Sequence, residues 1–189
     1  DRPESERTAR PVDRTLSEGD DAKVEIMWEG RFITAKRDGK WEYVSRSRGI
    51  KAAVILAIDE DHVLLVEQYR VPLGKNCIEL PAGLVGDHDH NGEEDSATAA
   101  IRELEEETGY RAGTTEDCGE FYSSPGMVSE SFSLFKASGL SKVSEGGGVE
   151  GENITVHRVA LGELDEFVAQ KRREGAGIDV KLLLLLQLH

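Results

Sequence analysis

Residues 81–110 read PAGLVGDHDHNGEEDSATAAIRELEEETGY, and the second half of that stretch decides the fold. Ala97, Ala100, Ile101 and Leu104 recur at helical spacing, so residues 96–108 are predicted to form an amphipathic helix with those four as its buried stripe. Asp95 or Ser96 is placed to cap the first turn, and Gly109 to take the left-handed conformation that stops the helix. On the face away from the stripe, Glu103, Glu106 and Glu107 stand at i, i+3 and i+4. Carboxylates that close together repel unless a cation lies among them. A solvated acidic face is the commoner meaning of such a run. Here Arg102 stands one turn before Glu106 and a PAG segment leads in, which favours a platform for a hard divalent cation. Mg²⁺ takes oxygen ligands and is usually held by a few carboxylates together with substrate phosphates.

Outward from the helix, strands are expected on both sides. Residues 52–58 and 62–69 are continuous apolar runs around Asp59-Glu60-Asp61, which is the pattern of buried strands joined by a tight turn. A short strand should run into Glu79-Leu80. Beyond the helix, residues 119–122, 131–136 and 154–160 read as strands, and residues 161–174 have helical periodicity. Residues 141–153, with Gly146-Gly147-Gly148, read as a mobile loop. Residues 179–188 carry five consecutive leucines and read as a final helix, far too short to span a bilayer. Strands with a helix between them and another at the end imply a sheet layered between helices, an α/β protein.

The expected organisation is a tail over residues 1–22, a β unit over 23–48 and a main domain over 49–189. The tail is charged and poor in aromatics, so it cannot bury enough apolar surface to offset ordering, and it is expected to be flexible. The β unit contains VEIMW, RFITAK and WEYVS, with Asp38-Gly39 as a hairpin turn. A few such strands are marginal alone and must dock on the main domain or cross to a second subunit. The 189 residues are 38% hydrophobic and 32% charged, ordinary for a soluble globular chain. A formal net charge of -14, without a basic patch, argues against nucleic-acid and anionic-membrane partners. Cys77 and Cys118 lack metal-ligand spacing. With no signal peptide evident they are read as reduced thiols of a cytoplasmic protein.

Residues 102–110, RELEEETGY, resemble the second half of the Nudix box, R-E-U-x-E-E-x-G-U with U apolar or aromatic, and Glu94 stands at the expected place before Arg102. Upstream the chain departs from the pattern. His88 occupies the position expected to be Gly, and Gly83 is separated from Glu94 by ten residues, which reads as a five-residue insertion. His88 and His90 fall in that polar insertion and are read as solvated loop rather than a metal site. The resemblance implies a Nudix-type α/β/α sandwich with a mixed sheet. Within the family, Gln68-Tyr69-Arg70, Glu79-Leu80-Pro81-Ala82-Gly83 and Ser124-Pro125-Gly126 are similar to segments of ADP-ribose pyrophosphatases and related nucleoside-diphosphate-sugar hydrolases. The β unit with Trp28 and Trp41 also looks like theirs, and the likeness implies a homodimer in which that unit is exchanged.

The resemblance further implies hydrolysis of a nucleoside-diphosphate sugar, ADP-ribose to AMP and ribose 5-phosphate, with Mg²⁺ or Mn²⁺ as cofactor. Other substrates remain open: GDP-mannose, ADP-glucose or a dinucleoside polyphosphate. So do a nucleotide-sensing module that does not turn over and a dimeric scaffold. Glu103 and Glu107 are the principal metal ligands, with Glu106 and the carbonyl of Ala82 as further ones. Arg102 orients a carboxylate of the cluster. Glu130, in the SPG-x-x-x-E pattern, is the candidate general base. Glu106, Glu150 and Glu152 are alternatives for that role, and Glu130 as a metal ligand is the other reading. Arg70, whose fork suits phosphate oxygens, is a substrate-binding candidate or an ordinary ion-pair partner. Gly83, Pro125 and Gly126 are carried over as substrate-binding positions. Trp28 and Trp41 are either core residues or platforms for adenine.

Overall fold

The computed structural model describes residues 24–47, 50–85, 95–149 and 151–187. The expected tail, together with His88, His90, Glu94 and Glu150, lies outside them. Three antiparallel strands come first: β1 (Glu25–Glu29), β2 (Ile33–Asp38) and β3 (Trp41–Arg46). Asp38 pairs with Trp41 across a two-residue turn whose Gly39 has φ 57°, the left-handed backbone that a tight hairpin requires.

The second, larger sheet is mixed. It contains β4 (Ala52–Asp59), β5 (His62–Arg70), β6 (Lys75–Glu79), β7 (Ala82–Leu84) and four further strands that follow α1 (Ser96–Thr108), namely β9 (Thr114–Tyr122), β10 (Ser131–Ser138), β12 (Thr155–Ala160) and β13 (Gly177–Ile178). Outside that sheet β8 (Tyr110–Arg111) follows the helix and β11 (Ser141–Lys142) follows β10. α2 (Leu164–Arg173) comes between β12 and β13, and a 3₁₀ helix (Val180–Gln187) completes the chain. β10 runs parallel to β4 and antiparallel to β9, while β12 and β6 flank β5.

Alternation along the apolar strands makes the layers. In β4, Ala53, Ile55 and Ala57 point to α1, where they meet Ala99, Ala100 and Leu104. Val54 and Leu56 point the other way, into a core with Ile78, Leu134, Val159, Leu182 and Leu185, closed over by Phe167 and Val168 of α2. Both faces of the strand are therefore covered, which is why it reads as one unbroken apolar run. The result is the expected α/β/α sandwich.

Asp95 caps α1, accepting hydrogen bonds from the N–H groups of Ala97 and Thr98, and Gly109 ends it at φ 75°. Three expectations change. Ile101 is exposed, and Ala99 takes its place in the stripe. Glu107, expected on the outer face, is only 6% exposed, because the last turn of α1 lies against the segment leading into β7. Residues 141–153 are expected as a mobile loop, and the described ones among them are tied down. Their first two form β11 against β8, and the N–H groups of Gly147 and Gly148 donate to the carbonyls of Glu107 and Glu106 at 2.8 and 3.0 Å. Those are among the last carbonyls of the helix, which have no partner within it. Gly146 can sit there only as glycine: at φ 66°, a Cβ would stand 2.4 Å from the carbonyl carbon of Thr108. The final helix is 3₁₀.

The N-terminal sheet docks on its own chain through the edge of β3. Val44 exchanges hydrogen bonds of 2.9 Å with Met127 and Ser129, and Ser129 Oγ bonds Ser45 Oγ at 2.9 Å.

Candidate active site

β4 and β5 pair only beside their turn, at Ile58–Val63 and Asp59–His62. Beyond it β4 goes with β7 and β10 and β5 with β6 and β12, so the two strands part. A cleft of about 420 Å³ opens where they diverge. Ala52, Val54 and Phe132 line its apolar part, and α1 presents Glu103, Glu106 and Glu107 to it.

Glu107 enters from its buried position with the N–H of Ala82 donating to Oε2 at 3.0 Å. Burial raises its carboxyl to about 8 against the offsetting Ala82 hydrogen bond, and the charges of Glu103 and Glu152 push in the same direction. Burial likewise raises Glu103, even though Arg102 opposes it. Gly83 makes that position possible, since a Cβ there would lie 1.8 Å from the carboxyl carbon of Glu103. Arg102 ties the acids to the sheet. Its Nη1 donates to Glu103 and Glu106 at 2.9 and 3.0 Å, and its Nη2 to the carbonyl of Leu84 at 3.3 Å.

The other expected residues divide. Glu130 lines the cleft, but its carboxylate is ion-paired with Arg46 of β3. Arg70 lines it too, held by Glu79 through bonds of 2.6 and 2.8 Å, so its fork faces a carboxylate in this state. That pairing also raises the Arg70 pKa. Pro125 and Gly126 stand outside the cleft lining, in the loop whose ends carry Ser123 and Glu130 into it. Trp28 and Trp41 are 57% and 52% exposed on the N-terminal sheet, so neither is core in this chain, and neither lines the cleft. Glu152 does line it, placed by the docked glycine loop, and accepts the N–H of Val149 at 2.9 Å.

Sequence reasoning missed Arg46, the role of Glu79 as partner of Arg70, and Lys181. Arg46 sits in an ordinary alternating strand and gives no signal. Lys181 gives a faint one, as a charge standing directly before the leucine run.

A helix carrying clustered acids, laid across the mouth of a split mixed sheet between two helical layers, defines the architecture as that of a Nudix protein. The chain belongs to that family, matching the NUDIX domain over residues 48–176. A solved structure, "Crystal structure of ADP compounds hydrolase", aligns with TM-score 0.65 over 87% of this chain and 89% of that one. At 22% identity the likeness speaks for the fold alone. In sequence the chain is 40% identical over 185 residues to the GDP-mannose pyrophosphatase of Cronobacter sakazakii, covering 87% of this chain and 91% of that protein. It is 35% identical over 160 residues to the methanol dehydrogenase activator of Bacillus methanolicus, covering 79% and 83%. With the ADP-ribose pyrophosphatase of Bacillus subtilis it shares 42% identity over 93 residues, 49% of this chain and 48% of that protein. It is a Nudix hydrolase related to ADP-ribose and GDP-mannose pyrophosphatases. No helix of the described residues is long and apolar enough to cross a membrane.

Proposed function

We propose that this Nudix hydrolase cleaves the diphosphate of a nucleoside-diphosphate sugar, with ADP-ribose, giving AMP and ribose 5-phosphate, as the first candidate. The observation that carries the reading is the cleft itself, where Glu103, Glu107 and Glu152 act electrostatically on one another and Glu107 is buried beside them. Oxygen donors so arranged suit a hard divalent cation, Mg²⁺ or Mn²⁺, better than a soft one. Among the described residues no three such side chains converge on one point as they stand. Holding an ion therefore requires Glu103 or Glu106 to leave Arg102 and join Glu107, with the Ala82 carbonyl as a further donor. When bound, the cation supplies charge neutralisation of the diphosphate oxygens.

The chain's own residues supply the rest. Water adds to one phosphorus, the bridging P–O bond breaks, and the proton of the water must be taken up. Glu152 is assigned that proton, with Glu130 as the alternative. Glu152 lines the cleft with its charge acting on both Glu103 and Glu107, whereas Glu130 is held in an ion pair with Arg46. Arg70 and Arg46 turn from their carboxylates toward the incoming phosphates, and Arg102 keeps the acid helix in register with β7. A homodimer completes the reading. Ile26, Trp28, Phe32 and Trp41 leave an apolar surface on the N-terminal sheet, where a second copy would cover it and place Trp28 or Trp41 beside a nucleobase.

The test is turnover of ADP-ribose, GDP-mannose, ADP-glucose and diadenosine polyphosphates, with Mg²⁺ or with EDTA, the products identified by phosphorus NMR. Preferential, metal-dependent release of AMP and ribose 5-phosphate from ADP-ribose is expected. Preference for GDP-mannose is the second reading, favoured by the relative that aligns over 87% of the chain. Turnover of none of them, at any metal concentration, refutes the proposal.

A further inference from the structure

We infer that Gly148 is the positioning residue of Glu152: the bare face of this glycine is the seat of the Glu152 carboxylate, and its N–H fixes that seat to the acid helix. The inference rests on the reading of Glu152 as the group that takes the proton from water, and it adds what holds that group in place. A carboxylate on a connecting segment has a long, rotatable side chain, and a base that wanders loses most of its catalytic worth. Two residues of the glycine run restrain it, each with one edge on α1 and the other on the segment around Glu152. Gly147 donates to the carbonyl of Glu107 at 2.8 Å, and its own carbonyl accepts the N–H of Ile154 at 3.1 Å. Ile154 is buried, so the chain just beyond Glu152 is anchored. Gly148 donates to the carbonyl of Glu106 at 3.0 Å, and on its other side lies the acid. A Cβ at Gly148 would stand 2.2 Å from Glu152 Oε2 and 3.0 Å from Glu152 Cβ.

The same Oε2 accepts the N–H of Val149 at 2.9 Å, and the N–H of Glu152 donates to the carbonyl of Val149 at 3.1 Å. Val149 and Glu152 both line the cleft, so the seat opens on it. The helix carbonyls that carry this arrangement belong to Glu106 and Glu107, whose side chains are cation ligands in the proposed reaction. One turn of backbone therefore holds the base and the acid platform together, and the charge of Glu152 reaches both Glu103 and Glu107. Two demands meet at position 148. Its backbone is left-handed, at φ 78°, which glycine adopts freely and Asn tolerates better than other side chains. The second demand is stricter, because Asn has a Cβ and the carboxylate leaves no room for one. The carboxylate is the end of a flexible side chain, so an added Cβ displaces the acid rather than the fold. Glu152 then leaves the Val149 N–H and its place in the cleft.

The test compares wild type with Gly148→Ala, Gly148→Asn, Glu152→Gln and the two double variants. Steady-state hydrolysis in Mg²⁺ of ADP-ribose or GDP-mannose, whichever turns over faster, gives kcat and KM, and NMR gives the exchange rate of the Val149 amide proton. Both glycine variants should lose roughly a hundredfold in kcat, the cost of moving a catalytic group by about an ångström, with KM changed less than about threefold. In the Glu152→Gln background the same substitutions should cost less than about twofold, because no carboxylate is left to misplace. Val149 exchange should speed up roughly ten to a hundredfold in both, the worth of one hydrogen bond to a charged acceptor. Should Gly148→Ala fail to fold, Gly148→Asn carries the same expectations and the same refutations. A folded variant with kcat within about twofold of wild type overturns the inference, and so does an equal loss in the Glu152→Gln background, which would mark position 148 as a support of α1 alone. If Glu152→Gln matches wild type, or neither sugar nucleotide is turned over, the reading of the reaction falls while Gly148 is still decided by the amide. Unchanged Val149 exchange in the glycine variants then overturns its assignment, and faster exchange upholds it.

Discussion

Replacing Glu107 with Gln separates what the acid cluster costs the fold from what it gives the reaction. The amide keeps the size of the side chain and can still accept the Ala82 N–H, which donates to Oε2 at 3.0 Å, but it carries no charge. Burial, with the nearby charges of Glu103 and Glu152, raises the Glu107 carboxyl to about 8 in the folded protein, against the ordinary carboxylate value of 4.5. A carboxyl whose folded value is raised opposes folding as pH climbs above the unfolded value, and the penalty is complete above the folded one. Without metal, wild type should therefore lose stability between about pH 4.5 and pH 8, by on the order of 2–4 kcal/mol at neutral pH. Glu107→Gln should lack that loss and be the more stable of the two in EDTA at pH 8. In saturating Mg²⁺ the order reverses for activity, with kcat falling roughly a hundredfold or more, the scale of one lost electrostatic stabiliser. Denaturant titrations in EDTA at pH 5, 6.5 and 8, with kcat measured on the same samples, test both halves. Near-normal kcat refutes the metal platform, and a variant less stable than wild type in EDTA at pH 8 refutes the account of the buried carboxyl.

If Glu152 takes the proton from water, Glu152→Gln should lower kcat about a hundred to ten thousandfold and abolish the acidic limb of the pH profile, while KM and the metal requirement hold. Glu130→Gln should then raise KM with the acidic limb intact, and the reverse pattern hands the role to Glu130. Away from the cleft, burial raises the Glu67 carboxyl but hydrogen bonds from Lys171, Asn76 and His157 outweigh it and bring it to about 2. Its stabilising effect is present above the unfolded value of about 4.5 and is lost as pH falls toward 2, so Glu67→Gln should flatten the acid limb of stability by on the order of 1–3 kcal/mol. Equal acid sensitivity in denaturation curves at pH 3 and pH 6 would contradict that. Deleting residues 1–22 should leave a dimer with full activity, whereas deleting residues 1–45 should abolish both. An active monomer after the longer deletion, by light scattering and turnover, removes the second-copy reading.

What could be read from the chain alone is what depends on neighbours in sequence. The Asp95 cap, the Gly109 stop, the hairpin after Asp38 and the apolar runs of β4 and β5 are local matters of dihedral preference and side-chain period, and each stands where residue order puts it. The acid triplet of α1 and its family pattern are equally local. What required the folded chain is everything set by partners distant in sequence. Helical period marks a stripe, but which edge of the stripe goes inward depends on what lies beneath it. The segment from Pro81 into β7 draws Glu107 inside and leaves Ile101 out. Glycine runs read as freedom, yet Gly146-Gly147-Gly148 exist so that a backbone can lie directly on the end of α1 and carry Glu152 to the cleft. Arg46 meets Glu130 across 84 positions of sequence, and Lys181 comes to the cleft from the far end of the chain. Charge pairing at such separations leaves no periodic trace, because it is fixed by which strands part and which face each helix covers.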